Sequence, residues 1–290
     1  MLSIKNVLFL GCLLTVTTAT AQLSYGFRAG LSFAEISGDS ETDDAGNALE
    51  EFKFANGFHI GFSLNYAFTD LFGVRGELLF TQRGTKYTFD GDSYYFLARR
   101  TVDQRVLLGH RLQDYNISMA SFEIPLIAYY KFGGFEISGG LNAAIIMTST
   151  GGGTITFDGI APSGAAVDPF EIQLQYNFNK DEAQGYGPPP VFVKVDNSLF
   201  ETPGTIGAYY QFEEKNGNKY GSFDLGLTVG LAFYLNEGLY IGGRFTYGLL
   251  DADDNQYDIS LHKLGQSNSY IYRDDINRHI GIQASLGFLF

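Results

Sequence analysis

Eight stretches of the chain, each about ten residues long, carry apolar side chains on every second position. In LSYGFRAGLSF, residues 23–33, one face holds Tyr25, Phe27, Ala29, Leu31 and Phe33. The other holds Ser24, Gly26, Arg28, Gly30 and Ser32. The pattern returns in GFHIGFSLNY (57–66), FGVRGELLFTQR (72–83), FEIPLIAYYK (122–131) and FEISGGLNAAI (135–145). It returns again in FDLGLTVGLAF (223–233), LYIGGRFTYGL (239–249) and the terminal HIGIQASLGFLF (279–290). Period-two alternation predicts half-buried strands. Ten residues is the length of a tilted strand that crosses a bilayer. No charge falls on any of the apolar faces, where one at mid-membrane costs roughly 2–4 kcal/mol.

The connections alternate in length. Residues 69–71, 132–134 and 236–238 are short turns, whereas about 34–56, 84–120, 147–222 and 250–278 are long. This predicts an all-β fold: an eight-stranded antiparallel up-and-down transmembrane barrel with long extracellular loops. The short turns and both termini are then periplasmic. Aromatics crowd the turn ends, as an interfacial girdle requires. A soluble barrel with its apolar face inside gives the same alternation. Its outer face would be rich in Lys, Glu and Asp; here the polar face is mostly Gly, Ser, Thr and Asn.

The first residues place the chain outside the cytoplasm. Lys5, an apolar run from Val7 to Val16 and Ala19-Thr20-Ala21 read as a signal peptide over 1–21, leaving 22–290 as the barrel. Cys12, the single cysteine, leaves with the leader, so the mature chain has no disulfide. The 19 Lys and Arg stand against 32 Asp and Glu, a balance that argues against nucleic acid as a partner.

FEIPLIAYYKFGGFEISGG resembles the strand–turn–strand signature of the PorT-like outer-membrane β-barrel proteins. FRAGLSFAEISGD is similar to that family's opening strand, and FDLGLTVGLAFYL, RFTYGLLD and IGIQASLGFLF follow its last three strands in order. The resemblance covers the strands and not the loops, and it carries over no catalytic residue. It implies that Phe290, with Phe288 on the same face, is an assembly signal read by the barrel assembly machinery. The other expected partner of the strands is outer-membrane lipid.

The inward faces hold Arg28, Arg75, Arg83, Arg244 and Lys131 with Glu77, Glu123, Glu136 and Asp224. An eight-stranded barrel has room inside for side chains only, and cations and carboxylates there should pair. The expectation is an Arg/Glu plug, with a narrow charge-lined pore or transporter as the alternative. An outer-membrane hydrolase would need His59, His110, His262 or His279 near a nucleophile. Ser285 lies three inward positions from His279, too far for a hydrogen bond. A His59/His279 pair with a loop Asp stays open.

The acidic runs DSETDD (39–44) and DADDN (251–255) read as solvated surface charge; the second loosely resembles the start of a calcium loop but has Gln256 in place of the Gly at position six and His262 in place of the Glu at position twelve. Gly151-Gly152-Gly153 has no Lys-Ser/Thr to follow it and is not a phosphate cradle. FEIQLQYNF (170–178) and PPPVFVKV (188–195) could add strands, and a strand hidden in the third long segment would raise the count to ten. The reading is a non-enzymatic membrane protein with no cofactor or metal, its loops open to an extracellular ligand.

Overall fold

Strands whose side chains alternate between lipid and a packed interior cannot leave an edge in a bilayer, so the sheet must close. The structure, a computed structural model, describes residues 22–98, 103–181 and 187–290. The expected leader lies outside them. Among the described residues, β1 (Gln22–Ser37), β2 (Glu50–Ala67), β3 (Phe72–Leu97), β4 (Arg105–Phe132) and β5 (Phe135–Ile160) form an antiparallel run. Next in the chain come β6 (Ala166–Asn177), β7 (Val191–Val195), β8 (Ser198–Thr202) and β9 (Thr205–Ile206). Then come β10 (Phe223–Tyr234), β11 (Leu239–Gly248), β12 (Ile259–Leu264), β13 (Tyr270–Tyr272) and β14 (Arg278–Leu289). The ring runs β1–β2–β3–β4–β5–β10–β11–β14 and returns to β1. It has eight strands, all paired antiparallel.

The turns follow from their residues. Thr69 Oγ1 accepts from the Leu71 and Phe72 amides at 3.2 and 3.0 Å. Asn236 Oδ1 does the same for Gly238 and Leu239 at 3.0 and 2.7 Å. Gly133 turns β4 into β5 at φ +59°, a conformation glycine adopts without strain. Around this end the rings form a chain, with Phe68 against Tyr66 and Phe72, and Phe135 against Phe132 and Phe233.

The ring strands are unequal. β3, β4 and β5 are 26, 28 and 26 residues long, against 12, 10 and 12 for β10, β11 and β14. A crossing needs about 9–11. Much of 84–120 and 147–222, expected as loop, is therefore strand. β6 pairs with the far half of β5, with Ile155 opposite Ile172, and β9 runs parallel to β6. β7 and β8 form a hairpin, and β12 pairs with β13. Both stretches flagged in the third long segment do form strands, but outside the ring.

Above the membrane zone the side-chain pattern inverts. Along β3 the outward row runs Phe72, Val74, Leu78, Phe80, Gln82, Lys86, Thr88, Asp90, from apolar to polar. The inward row runs Arg75, Glu77, Leu79, Thr81, Arg83, Thr85, Tyr87, Phe89, polar but for Leu79 up to Thr85 and apolar beyond it. On the polar outer face Lys86 pairs with Asp114 at 3.1 Å and His110 with Asp90 at 2.9 Å. Inside, Phe89, Leu97, Leu107, Ile155, Phe157 and Ile172 are fully buried in one apolar core. In the membrane zone large apolar residues face out instead, Phe62 and Leu231 being 68% and 67% exposed. β5 changes phase at a register shift opposite Ala120/Ser121, where Met147 is the extra residue.

Candidate functional site

The strand register stacks the inward charges in three tiers. Nearest the turns, Arg75 donates to Glu136 through two parallel bonds of 2.9 Å and from its Nε to Asn65 Oδ1 at 2.5 Å. Tyr234 donates to the same carboxylate at 2.8 Å, and the Arg75 guanidinium lies 5.0 Å from the Tyr129 ring centroid. In the middle tier Glu77 receives Arg244 at 2.8 Å through each oxygen and Arg28 at 3.3 Å. Farthest from the turns, Arg83 bonds Asp224 at 3.1 Å.

Seven of the nine expected lumen residues thus meet in ion pairs. Glu123 takes Asn142 Nδ2 at 3.3 Å instead of a cation. Lys131 lies over the Tyr234 ring, 4.5 Å from its centroid. Pro125 stands where the β3–β4 ladder skips two rungs, between Gly76–Leu126 and Leu79–Glu123. A residue without an N–H accounts for the gap. Two lumen cavities, of about 20 and 10 Å³, border the upper tier. Each is about one water in size.

The histidines separate. His110 is on the outer face with Asp90, and the His262 Nδ1 lies 2.8 Å from the Asp92 carbonyl oxygen. His59 and His279 are both buried, but Ser32 and Ser285 occupy the two ring nitrogens of His59, at 3.1 and 2.9 Å. Ser285 thus does have a histidine, across the sheet and not along its own strand. The missed signal is a rung: Gly30 pairs with both His59 and Ser285, and having no side chain it lets the two meet over it. Arg28 also donates to Ser285 Oγ, at 2.5 Å. Ser285 and His59 are only 5% and 1% exposed, with a serine and no carboxylate behind the imidazole.

The acidic runs are engaged within the protein: Glu41 accepts from the Leu261 and His262 amides at 2.9 and 3.2 Å, and Asp44 pairs with Lys263. Asp43 accepts from the Ala45 and Asn47 amides, and Asn277 bonds Asp251 and Asp253. Among the described residues no cluster of three or more His, Cys, Asp or Glu could hold a metal ion.

A family model for the outer membrane protein beta-barrel domain matches residues 18–254. The chain belongs to this family. The closed ring and the lipid-ready outer face described above are the family's architecture, and they place the protein in the outer membrane. No curated relative matches. Solved structures with similar topology include Ail of Yersinia pestis in complex with the heparin analogue sucrose octasulfate. It has 13% identity and a TM-score of 0.36, covering 93% of this chain and 99% of that one. OprG of Pseudomonas aeruginosa is similar at 12% identity and 0.36, over 93% and 97%. The outer membrane protease OmpT of Escherichia coli is similar at 9% and 0.30, over 94% and 97%. At these values none of them transfers a role to this barrel.

Proposed function

We propose that the protein is a non-enzymatic outer-membrane barrel whose lumen is plugged and whose outer sheet is the part that meets extracellular ligands. The observation that carries this reading is the change along the inward row. It runs through three tiers of buried ion pairs and passes at Thr85–Tyr87 into an apolar core. Water-sized cavities in the lumen support a closed path. The short turns, and with them the termini, face the periplasm, because long connections belong to the cell surface in such barrels. The finer kinship with PorT-like proteins rests on Glu123-Ile124-Pro125-Leu126 and the strands around it.

The test is conductance. The mature chain, refolded and inserted in a planar bilayer, is expected to stay silent, and liposomes containing it to retain small ions and sugars. Steady single-channel steps that change when Glu77 or Arg244 is replaced would move the role to a pore. An epitope inserted at 162–164, in the β5–β6 turn, should be reached by antibody on intact cells.

A further inference from the structure

The outer core is not solid. Between the lumen tiers and the far end lies a chamber of about 90 Å³. Its walls are aromatic: Tyr115 stands 4.9 Å from Tyr87 and 5.2 Å from Tyr176, and Phe178 meets Tyr220 at 4.8 Å, all between ring centroids. Its charges do not balance, because Glu50, Asp253, Asp258 and Asp275 line it against Arg273 and Lys219.

Arg273 is already engaged. It bonds Glu50 at 2.6 Å and Asp275 at 2.7 Å, and its Nε lies 3.9 Å from Asp258 Oδ2, an ion-pair contact too long for a hydrogen bond. Glu50 also accepts the Tyr87 hydroxyl at 2.7 Å, and Asp253 accepts Asn277 at 3.0 Å. Two oxygens remain open. Gln113 Oε1 and Asp258 Oδ2 have no hydrogen-bond partner, although the residues are only 5% and 9% exposed. A buried polar atom without a partner carries its full desolvation cost. Gln113 Oε1 is an acceptor, Asp258 Oδ2 is one once its carboxyl is ionised, both residues line one chamber, and carboxylates there outnumber cations. A group with several N–H donors and one positive charge answers all three conditions.

We propose that this chamber binds a primary alkylammonium group, held by Asp258 and Gln113 and walled by tyrosine rings. The inference deepens the reading of the outer sheet as the ligand-binding part, and it rests on that reading only for the side from which the ligand arrives. Aromatic faces attract cations, and more strongly where water is excluded. A hard metal ion such as calcium would need six to eight oxygens, and no metal-holding cluster exists among the described residues. The volume suits a few heavy atoms, being smaller than the roughly 150 Å³ cavity that accepts benzene. Phe212 and Tyr257, edge to face at 5.0 Å, line both this chamber and an outer cleft of about 510 Å³ that carries Glu213 and Glu214. The ammonium therefore enters either as a small free amine or as the end of a longer molecule lying in the cleft.

The test is calorimetry at pH 9, where Asp258 is ionised and a primary amine is still protonated, on the full mature chain refolded in detergent, with ethylammonium, 1,5-diaminopentane and ethanol as probes. Saturable binding of ethylammonium and none of ethanol is expected. Asp258→Asn and Gln113→Leu should each weaken it at least tenfold while heat-modifiable migration stays intact, and Lys86→Ala on the outer face should leave it unchanged. Tighter binding of the diamine identifies the end of a longer molecule, and weaker binding a small amine. No ethylammonium heat at millimolar concentration, equal heat from ethanol, or wild-type binding in both chamber variants would overturn the proposal. Conductance of the same preparation separates the two readings, since a silent barrel without binding removes only this one.

Discussion

His59 on β2 and Ser285 on β14 are joined by a 2.9 Å hydrogen bond that passes over Gly30 of the strand between them. A histidine bonded to a serine invites a nucleophilic reading. Its surroundings oppose it: Ser285 also accepts from Arg28, and both members are buried. A fluorophosphonate probe is therefore expected to leave the folded protein unlabelled. Labelling abolished by Ser285→Ala would make the barrel a hydrolase.

The lowest tier should dominate the stability of the ring. Removing one partner of a buried, bidentate pair leaves the other charged and unpaired, at about 3–5 kcal/mol. Glu136→Ala is expected to lose that much in urea unfolding from detergent, because Arg75 keeps only Asn65, Tyr129 and a long contact to Tyr234. Replacing both residues by Met and Leu should recover most of the loss.

The inversion along β3 sets where the membrane ends. Leu78 and Thr88 point outward from the same strand, ten residues apart. Leu78→Arg is expected to cost roughly 2–4 kcal/mol in lipid, the value for a cation on a lipid face. Thr88→Arg should fall within about 0.5 kcal/mol of wild type, as surface substitutions do. Equal costs at the two positions would mean that the bilayer covers both.

Burial, and then its hydrogen bond with Asp275, push Asp258 up to about 8; burial also raises Asp253. Asp275, Arg273, Lys219, Glu50 and Asp253 share the chamber with Asp258. A carboxyl raised on folding binds more protons folded than unfolded. Its favourable contribution is complete below its ordinary value near 4 and is lost as pH rises toward 8. Near-UV melting of the outer domain should therefore drop in temperature between pH 5 and 8, and Asp258→Asn should flatten the slope. A slope unchanged in that variant would remove Asp258 as its source.

The last residue is tied in: the Phe290 amide donates to the Tyr25 carbonyl at 2.8 Å, and its ring lies 4.9 Å from Phe288. Deleting Phe290 is expected to lower outer-membrane levels in cells several-fold while refolding in detergent stays close to wild type. Unchanged levels would mean that assembly reads another feature.

The eight crossings were legible because lipid on one side and a crowded lumen on the other impose strict alternation. The outer halves of β3, β4 and β5 were harder to read. Lys86, Thr88 and Asp90 alternate as regularly as Phe72 and Val74, but with the faces exchanged. A charged row facing out looks like a loop when lipid is the expected neighbour. The individual ion pairs were not legible, because which Arg meets which Glu depends on the registers of strands far apart in the chain. Arg28 and Glu77 are 49 residues apart, and Glu77 and Arg244 are 167 apart. The chamber was hidden for a similar reason: Gln113 and Asp258 lie on opposite sides of the longest connection.

β2, β3, β4 and β5 all continue from the membrane zone into the outer sheet, β2 and β5 each through a register shift. The two parts therefore share four strands, joined along most of their length by ladder hydrogen bonds. A pull on the far end loads the ladders of these strands lengthwise, so many hydrogen bonds resist together instead of opening one at a time. The far end of the protein is thereby tied to the membrane barrel by a sheet and not by a flexible linker.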